Sequence, residues 1–116
     1  MKILYQGSPG AYSHLAAKEL YPDAEIVACK TFDECFRKAE EDKTLRIIIP
    51  ESNRITGNIG IEYLIFKHRL NIYAEYFQKI EHNLLGQPGI KLKDVNNVYS
   101  HAQALSQCSE FIKKNN

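Results

Sequence analysis

Three short stretches of this chain gather polar residues in patterns that can hold a small anion. The first, Gln6 to Ser13, sets Gly7, Ser8 and Gly10 between an apolar run and a helical pattern. Backbone N–H groups and the positive end of a helix can face a carboxylate there, although a tight turn that needs flexible glycines explains the same residues. It is not a dinucleotide fingerprint, because the third glycine is missing and no acidic residue ends the second strand. The second stretch, Pro50 to Gly57, crowds Glu51, Ser52, Asn53, Arg54 and Thr56 together. A ligand site or a solvated loop capping the next helix through Thr56 accounts for it equally well. The third runs from Tyr99 to Cys108, where Ser100 and Gln103 stand at the spacing of a capping box. Gln107 follows one turn later, so Ser100, Gln103 and Gln107 share a helical stripe away from Leu105, Cys108 and Ile112. Such a stripe can bind a carboxylate, and an ordinary solvated face is the plainer alternative.

The chain has four histidines. His82 and His101 fall near expected strand ends, while His14 and His68 read as helix surface. None is paired at metal-ligand spacing, so no metal site is expected. As general acids they have a suitable titration range, but capping or surface roles are commoner.

Short apolar runs alternating with helical patterns must position these stretches, an α/β layout. The pattern predicts strands at Lys2–Tyr5, Glu25–Cys29 and Leu45–Ile49, the last a continuous apolar run expected to be covered on both faces and stopped by Pro50. A helix over Ala11–Leu20 would turn Tyr12, Leu15, Ala16 and Leu20 to one side. A second helix begins at a Thr31/Glu34 capping box, buries Phe32, Cys35, Phe36 and Ala39, and ends near Asp42. After a loop at Glu51–Ile55, a helix is expected from about Thr56 to His68, carrying Ile61, Leu64 and Ile65. Leu70–Phe77 alternates as a strand that Leu84 and Leu85 could extend, Gly86–Gly89 is turn chemistry, and Val95–Tyr99 is another strand. A closing helix, Ser100–Lys114, would bury Leu105, Cys108, Phe111 and Ile112.

At 116 residues, 44% hydrophobic and 25% charged, the chain has the size and composition of one globular domain or part of one. A net charge of +1 offers no field for a polyanion, so nucleic acid is not an expected partner. No apolar run reaches the roughly 20 residues of a membrane span and the start shows no cleavage pattern, which points to a cytoplasmic protein without a membrane partner. Cys29, Cys35 and Cys108 are odd in number and flanked by apolar residues, as expected of reduced core thiols.

Taken in order, the three stretches resemble a known family. The segments Tyr5-Gln6-Gly7-Ser8-Pro9-Gly10-Ala11-Tyr12-Ser13, Ile49 to Gly57, Ile80 to Leu85, and Val98-Tyr99-Ser100-His101-Ala102-Gln103-Ala104-Leu105-Ser106-Gln107-Cys108 are similar to prephenate dehydratases, and the resemblance covers the whole chain. It implies a two-lobed fold like the type II periplasmic binding proteins. Residues 1–78 would be most of lobe 1, and residues 79–116 the crossing strand and the start of lobe 2. It also implies a cofactor-free reaction that turns prephenate into phenylpyruvate for phenylalanine biosynthesis. Asn53, Ser100 and Gln107 carry over as substrate-contacting catalytic positions, with Gly10, Ser13, Ser52, His101 and Gln103 supporting the cleft.

Two departures from the family pattern stand out. Ser52 takes the place of the family's glutamate while an acid stands one residue earlier, so either Glu51 substitutes through a shifted loop or the local acid is lost. The family's threonine-arginine-phenylalanine motif and its phenylalanine-sensing ACT domain are expected beyond Asn116, so little or no activity is expected of these residues alone. Uncovered apolar surface on the crossing strand and last helix would favour homo-oligomers, swapped assemblies or poor solubility. Two other readings are a binding module for an aromatic or keto-acid ligand without turnover, and a shortened gene product that binds nothing.

Overall fold

The computed structural model describes residues 1–53, 57–58 and 60–115. Its centre is a parallel sheet in the order β2-β1-β3, with β1 at Lys2–Gln6, β2 at Glu25–Cys29 and β3 at Leu45–Ile48. The ladders start with Lys2 opposite both Glu25 and Leu45 and run to Gln6 opposite Cys29 and Tyr5 opposite Ile48. Helix α1, Tyr12–Leu20, links β1 to β2, and α2, Phe32–Glu41, links β2 to β3. Leu4 packs with Cys29 and with Cys35 of α2, whereas the Tyr5 ring meets His14 of α1 at 5.3 Å. Successive strand residues point to opposite faces, so the two helices cover opposite faces of the sheet. That is why Ile3, Leu4 and Tyr5 are all buried in succession.

The most buried strand is therefore β1, in the centre, and not Leu45–Ile49 as its apolar run suggests. β3 lies at an edge of this sheet among the described residues, its apolar side chains are half-buried and Arg46 is exposed. On α1 the buried pair is Ala16 and Ala17, while Leu15 remains 44% exposed, because the helix presses its small residues against the sheet. The start of α2 follows the Thr31/Glu34 pattern closely. Thr31 Oγ1 accepts the Glu34 N–H at 3.1 Å, and the Glu34 carboxylate accepts the N–H of Lys30, one residue before the cap, at 2.8 Å. Cys29 and Cys35 are buried free thiols as expected, and burial pushes the Cys35 thiol up, its contact with Cys29 adding to the effect. Cys108 is only half-buried.

The helix expected from Thr56 to His68 is shorter. Thr56 lies outside the described residues, Gly57–Asn58 is a strand, β5, paired antiparallel with β4 at Ser52–Asn53, and α3 spans only Glu62–Lys67. Gly57 and Gly60 stand where the first turns would be, and Gly60 has φ +78, outside helical space. His68, expected on the surface, is 5% exposed. Its ring lies 5.9 Å from the Phe36 ring, and its Nδ1 is 2.6 Å from a Glu40 carboxylate oxygen, which fastens the end of α3 to α2.

Leu70–Phe77 and Val95–Tyr99 do not form strands. Their alternation suits an extended chain, but a strand is completed only by a hydrogen-bonding neighbour, and among the described residues no strand runs beside either. The last helix is two: α4 at Ala102–Gln107 and α5 at Ser109–Lys114, meeting at Cys108, whose ψ of 7° leaves the helical range. None of its expected core residues is fully buried, Phe111 being 50% exposed. The same cause applies, since no element packs over that face among the described residues. No helix among them is long and apolar enough to cross a membrane.

Candidate active site

The order β2-β1-β3 places the reversal of chain direction at β1. The chain travels one way from β1 to β2 and back across β1 to β3, and open α/β sheets bind ligands where that direction reverses, beyond the carboxyl ends of the strands. Those ends release Gly7–Gly10 from β1 and Pro50–Asn53 from β3, side by side because Tyr5 is paired with Ile48. Two of the three polar stretches therefore leave neighbouring strands at the same end of the sheet. The side chains of Ser52 and Asn53, with Arg54, lie outside the described residues. Glu51 is exposed just after Pro50.

In the first stretch the turn reading prevails. Gly7 has φ +132 and donates its N–H to the Cys29 carbonyl at 3.1 Å, and Gly10 has φ +93 and donates to His14 Nδ1 at 3.1 Å. A side chain is strained at such φ values, and a Cβ on Gly7 would also touch Ala11 Cβ at 3.4 Å. The Gly10 N–H is thus engaged within the loop. Ser13 sits half-buried in the first turn of α1. A shallow open depression of about 400 Å³ adjoins this loop, lined by Gln6, Gly7, Ser8, Ala28, Cys29, Lys30 and Glu34. Lys30 and Glu34 line it although neither stood out in the sequence as a site residue. Glu34 is held below its ordinary carboxylate range by the Lys38 ammonium first and by the Lys30 N–H second.

The third stretch is capped differently from expectation. His101, extended at φ −61 and ψ 140, is the cap of α4, and its Nδ1 accepts the Gln103 N–H at 3.3 Å. Ser100 falls outside the helix and is exposed, so only Gln103 and Gln107 remain as neighbours along α4. Residues 81 and 82 join this helix to the first stretch. The Tyr12 hydroxyl donates to the Glu81 carbonyl at 2.8 Å and accepts the Glu81 N–H at 3.0 Å. The Tyr12 ring stands edge-on to the His82 ring at 5.9 Å, and His82 Nε2 is 2.6 Å from Gln107 Oε1. Tyr12, read from sequence as a packing residue, is thus a polar anchor, and His82 is a direct neighbour of a candidate catalytic amide. Both partners are distant in sequence, by 69 and 25 residues, which is why periodicity could not reveal them.

Comparison with known proteins decides the family. The family description "Prephenate dehydratase" matches residues 3–116. The chain belongs to the prephenate dehydratase family. Arogenate dehydratase 2 of Petunia hybrida is 40% identical over 115 residues, covering 98% of this chain and 29% of that protein. The chloroplastic arogenate dehydratase/prephenate dehydratase 1 of Arabidopsis thaliana is 40% identical over 109 residues, covering 93% of this chain and 28% of that protein. This member of the prephenate dehydratase family therefore spans less than a third of the length of those curated relatives. A solved structure described as "GqqA- a novel type of quorum quenching acylases" superposes with a TM-score of 0.73 at 30% identity, covering 99% of this chain and 42% of that one. The fold is thus an α/β fold of the type II periplasmic-binding-protein kind. The expectation of a cytoplasmic protein is corrected: Arabidopsis relatives of this family, including dehydratases 2 and 5, are chloroplastic. Absence of an apolar span or leader pattern did not justify that expectation.

Proposed function

We propose that this chain forms one part of the substrate cleft of a dehydratase that converts prephenate to phenylpyruvate in phenylalanine biosynthesis. The supporting observation is the run of contacts from Tyr12 through Glu81 and His82 to Gln107, which brings three of the four family-like segments to one place. In that cleft the Gln107 amide, Ser100 and Asn53 orient the two carboxylates and the ring hydroxyl. Glu51 stands in for the family's displaced acid, and Gly10, Ser13, Ser52, His101 and Gln103 support the walls. Residues 1–78 form most of one lobe and residues 79–116 open the other, so the Tyr12–Glu81 bonds cross the boundary between them.

The reaction asks little of the protein beyond placement. The bond from the ring to its carboxylate breaks and carbon dioxide leaves. The released electron pair moves through the ring, the ring hydroxyl departs, and one proton from a donor converts it to water. Aromatisation drives the step, so fixed neutral donors and weak solvation of the leaving carboxylate suffice, without a cofactor. These 116 residues contain no Thr-Arg-Phe run to supply that proton, so tested by themselves they are expected to bind without turnover. Its uncovered apolar surface makes a homo-oligomer the form expected in solution.

Calorimetry with prephenate, beside an ultraviolet assay for phenylpyruvate, tests the reading. The expected result for the isolated chain is binding without product. A chimera in which these residues replace the matching segment of the petunia relative is expected to form product from prephenate or arogenate. Binding with no product from the chimera would favour a ligand-binding module instead. No binding by either polypeptide would overturn the cleft.

A further inference from the structure

We propose that His82 is a positioning residue for Gln107: its Nε2–H fixes the amide so that the Gln107 NH2 group, and not its oxygen, faces the substrate carboxylate. The inference rests on the cleft reading above, but its physical core is a single contact. A glutamine amide is a poor carboxylate ligand until its orientation is decided. With the oxygen outward it repels the anion, with the nitrogen outward it donates two N–H groups, and an unrestrained side chain can rotate between the two. In this structure the oxygen is committed. Gln107 Oε1 lies 2.6 Å from His82 Nε2, a distance at which one atom must donate, and a carbonyl oxygen cannot. With Oε1 facing the ring, the bond forms only in the tautomer that carries the proton on Nε2 of His82, and that arrangement directs Gln107 Nε2 away from the ring.

His82 is itself held in place by more than its own torsions. Residues 81 and 82 belong to a stretch without helix or ladder, where a side chain would otherwise follow a loose backbone. The Tyr12 hydroxyl uses both its donor and its acceptor capacity on the peptide groups of Glu81, pinning the backbone one residue before the histidine. The edge of the Tyr12 ring then meets the His82 ring at an interplanar angle of 70°, which limits rotation about its side-chain bonds. At the other end, Gln107 occupies the last turn of α4, a rigid origin for its side chain. Two separate elements thus set the two ends of one hydrogen bond. That is the arrangement needed to pre-orient a donor before substrate arrives.

The test uses nitrogen-15-labelled full chain and two variants, His82→Gln, whose amide nitrogen can reach the position of Nε2, and His82→Phe, which keeps a ring against Tyr12 without a donor. Long-range nitrogen–proton spectra are expected to show the Nε2–H tautomer at His82. The Gln107 side-chain NH2 resonances should be displaced from those of the other glutamines, return towards them in His82→Phe, and stay displaced in His82→Gln. In calorimetry, prephenate affinity should fall about tenfold in His82→Phe, recover to within a few-fold in His82→Gln, and fall no further when His82→Phe is added to Gln107→Ala. An Nδ1–H tautomer, or Gln107 resonances indifferent to both substitutions, would overturn the proposal. So would equal affinity loss in both variants with the fold intact by amide spectra. If the unaltered chain binds no prephenate, the cleft reading fails, and the tautomer and resonance measurements still decide the orientation of the amide.

Discussion

Residues 1–49 and residues 70–101 are both rich in aliphatic and aromatic side chains, yet the first stretch folds around them and the second displays them. In the first, β1 is paired along both edges and covered on both faces, and Phe36, Cys35 and Tyr5 disappear from solvent. In the second, Ile72, Tyr73, Phe77, Leu85 and Tyr99 remain exposed, and no ladder binds the backbone. The difference lies in neighbours rather than composition. Two βαβ units supply their own partners within about 50 residues, whereas an extended stretch acquires structure only from whatever lies beside it. Among the described residues the second stretch is held by scattered contacts, Tyr12 on the Glu81 backbone and Arg46 over the Tyr73 ring tying it to the first stretch and His82 tying it to Gln107.

Removing one phenylalanine from each region should separate the two most strongly. Phe36 is 1% exposed, so Phe36→Ala removes a buried ring and leaves a cavity costing about 3–5 kcal/mol, enough to unfold a marginal domain. Phe77 is 86% exposed, so Phe77→Ser should change unfolding free energy by less than about 0.5 kcal/mol. Instead it should reduce self-association. Urea melts and sedimentation of the two variants separate these effects. A large stability loss in Phe77→Ser would mean that the second region is packed in solution.

The contact between α2 and α3 lies between these extremes. His68→Ala removes both the packing on Phe36 and the hydrogen bond to Glu40, a loss of about 2 kcal/mol by urea titration at neutral pH. The same bond gives a pH signature. The hydrogen bond with His68 holds the Glu40 carboxyl below its ordinary value of 4.5, and nearby positive charge adds to this. A carboxyl lowered in the folded state contributes stability that is fully present above the unfolded value and is lost as pH falls through the folded one. The stability of the unaltered chain should therefore drop below about pH 4.5, and Glu40→Gln should flatten that part of the profile. Parallel profiles for the two proteins would show that the bond does not form in solution.

How far each element was legible follows the same division. Glu25–Cys29 appears as a strand at its expected bounds, and Thr31 caps α2 as its spacing to Glu34 requires, because these signals are local. His68 was misjudged as surface since its burial depends on Phe36 and Glu40, on another helix. Leu70–Phe77 was misjudged because alternation specifies an extended chain but not its neighbour. In the candidate site, the shared stripe of Gln103 and Gln107 on a helix was legible from spacing, while the bonds of Tyr12 and the contact of His82 required a chain reversal that no spacing encodes. Ser100 lost its expected cap to His101, as a one-residue shift in helix start is below what a capping pattern resolves.

The smallest expected effect falls at the border between the two regions, where α3 ends. Arg69 donates its N–H to Phe66 at 3.2 Å and Leu70 donates to Ile65 at 3.1 Å, the paired bonds that close a helix with a left-handed residue. That residue is Arg69, with φ 49, the one non-glycine in the left-handed region among the described residues. A Cβ there crowds the following carbonyl, and glycine avoids the clash while its greater freedom in the unfolded chain offsets part of the gain. Arg69→Gly should therefore raise unfolding free energy by about 0.5 kcal/mol in urea melts, with hydrogen exchange slowed at Leu70 and unchanged in the sheet. Because the turn sends the chain out of the packed region, a loss of stability instead would show that the Arg69 side chain contributes more than its backbone strain costs.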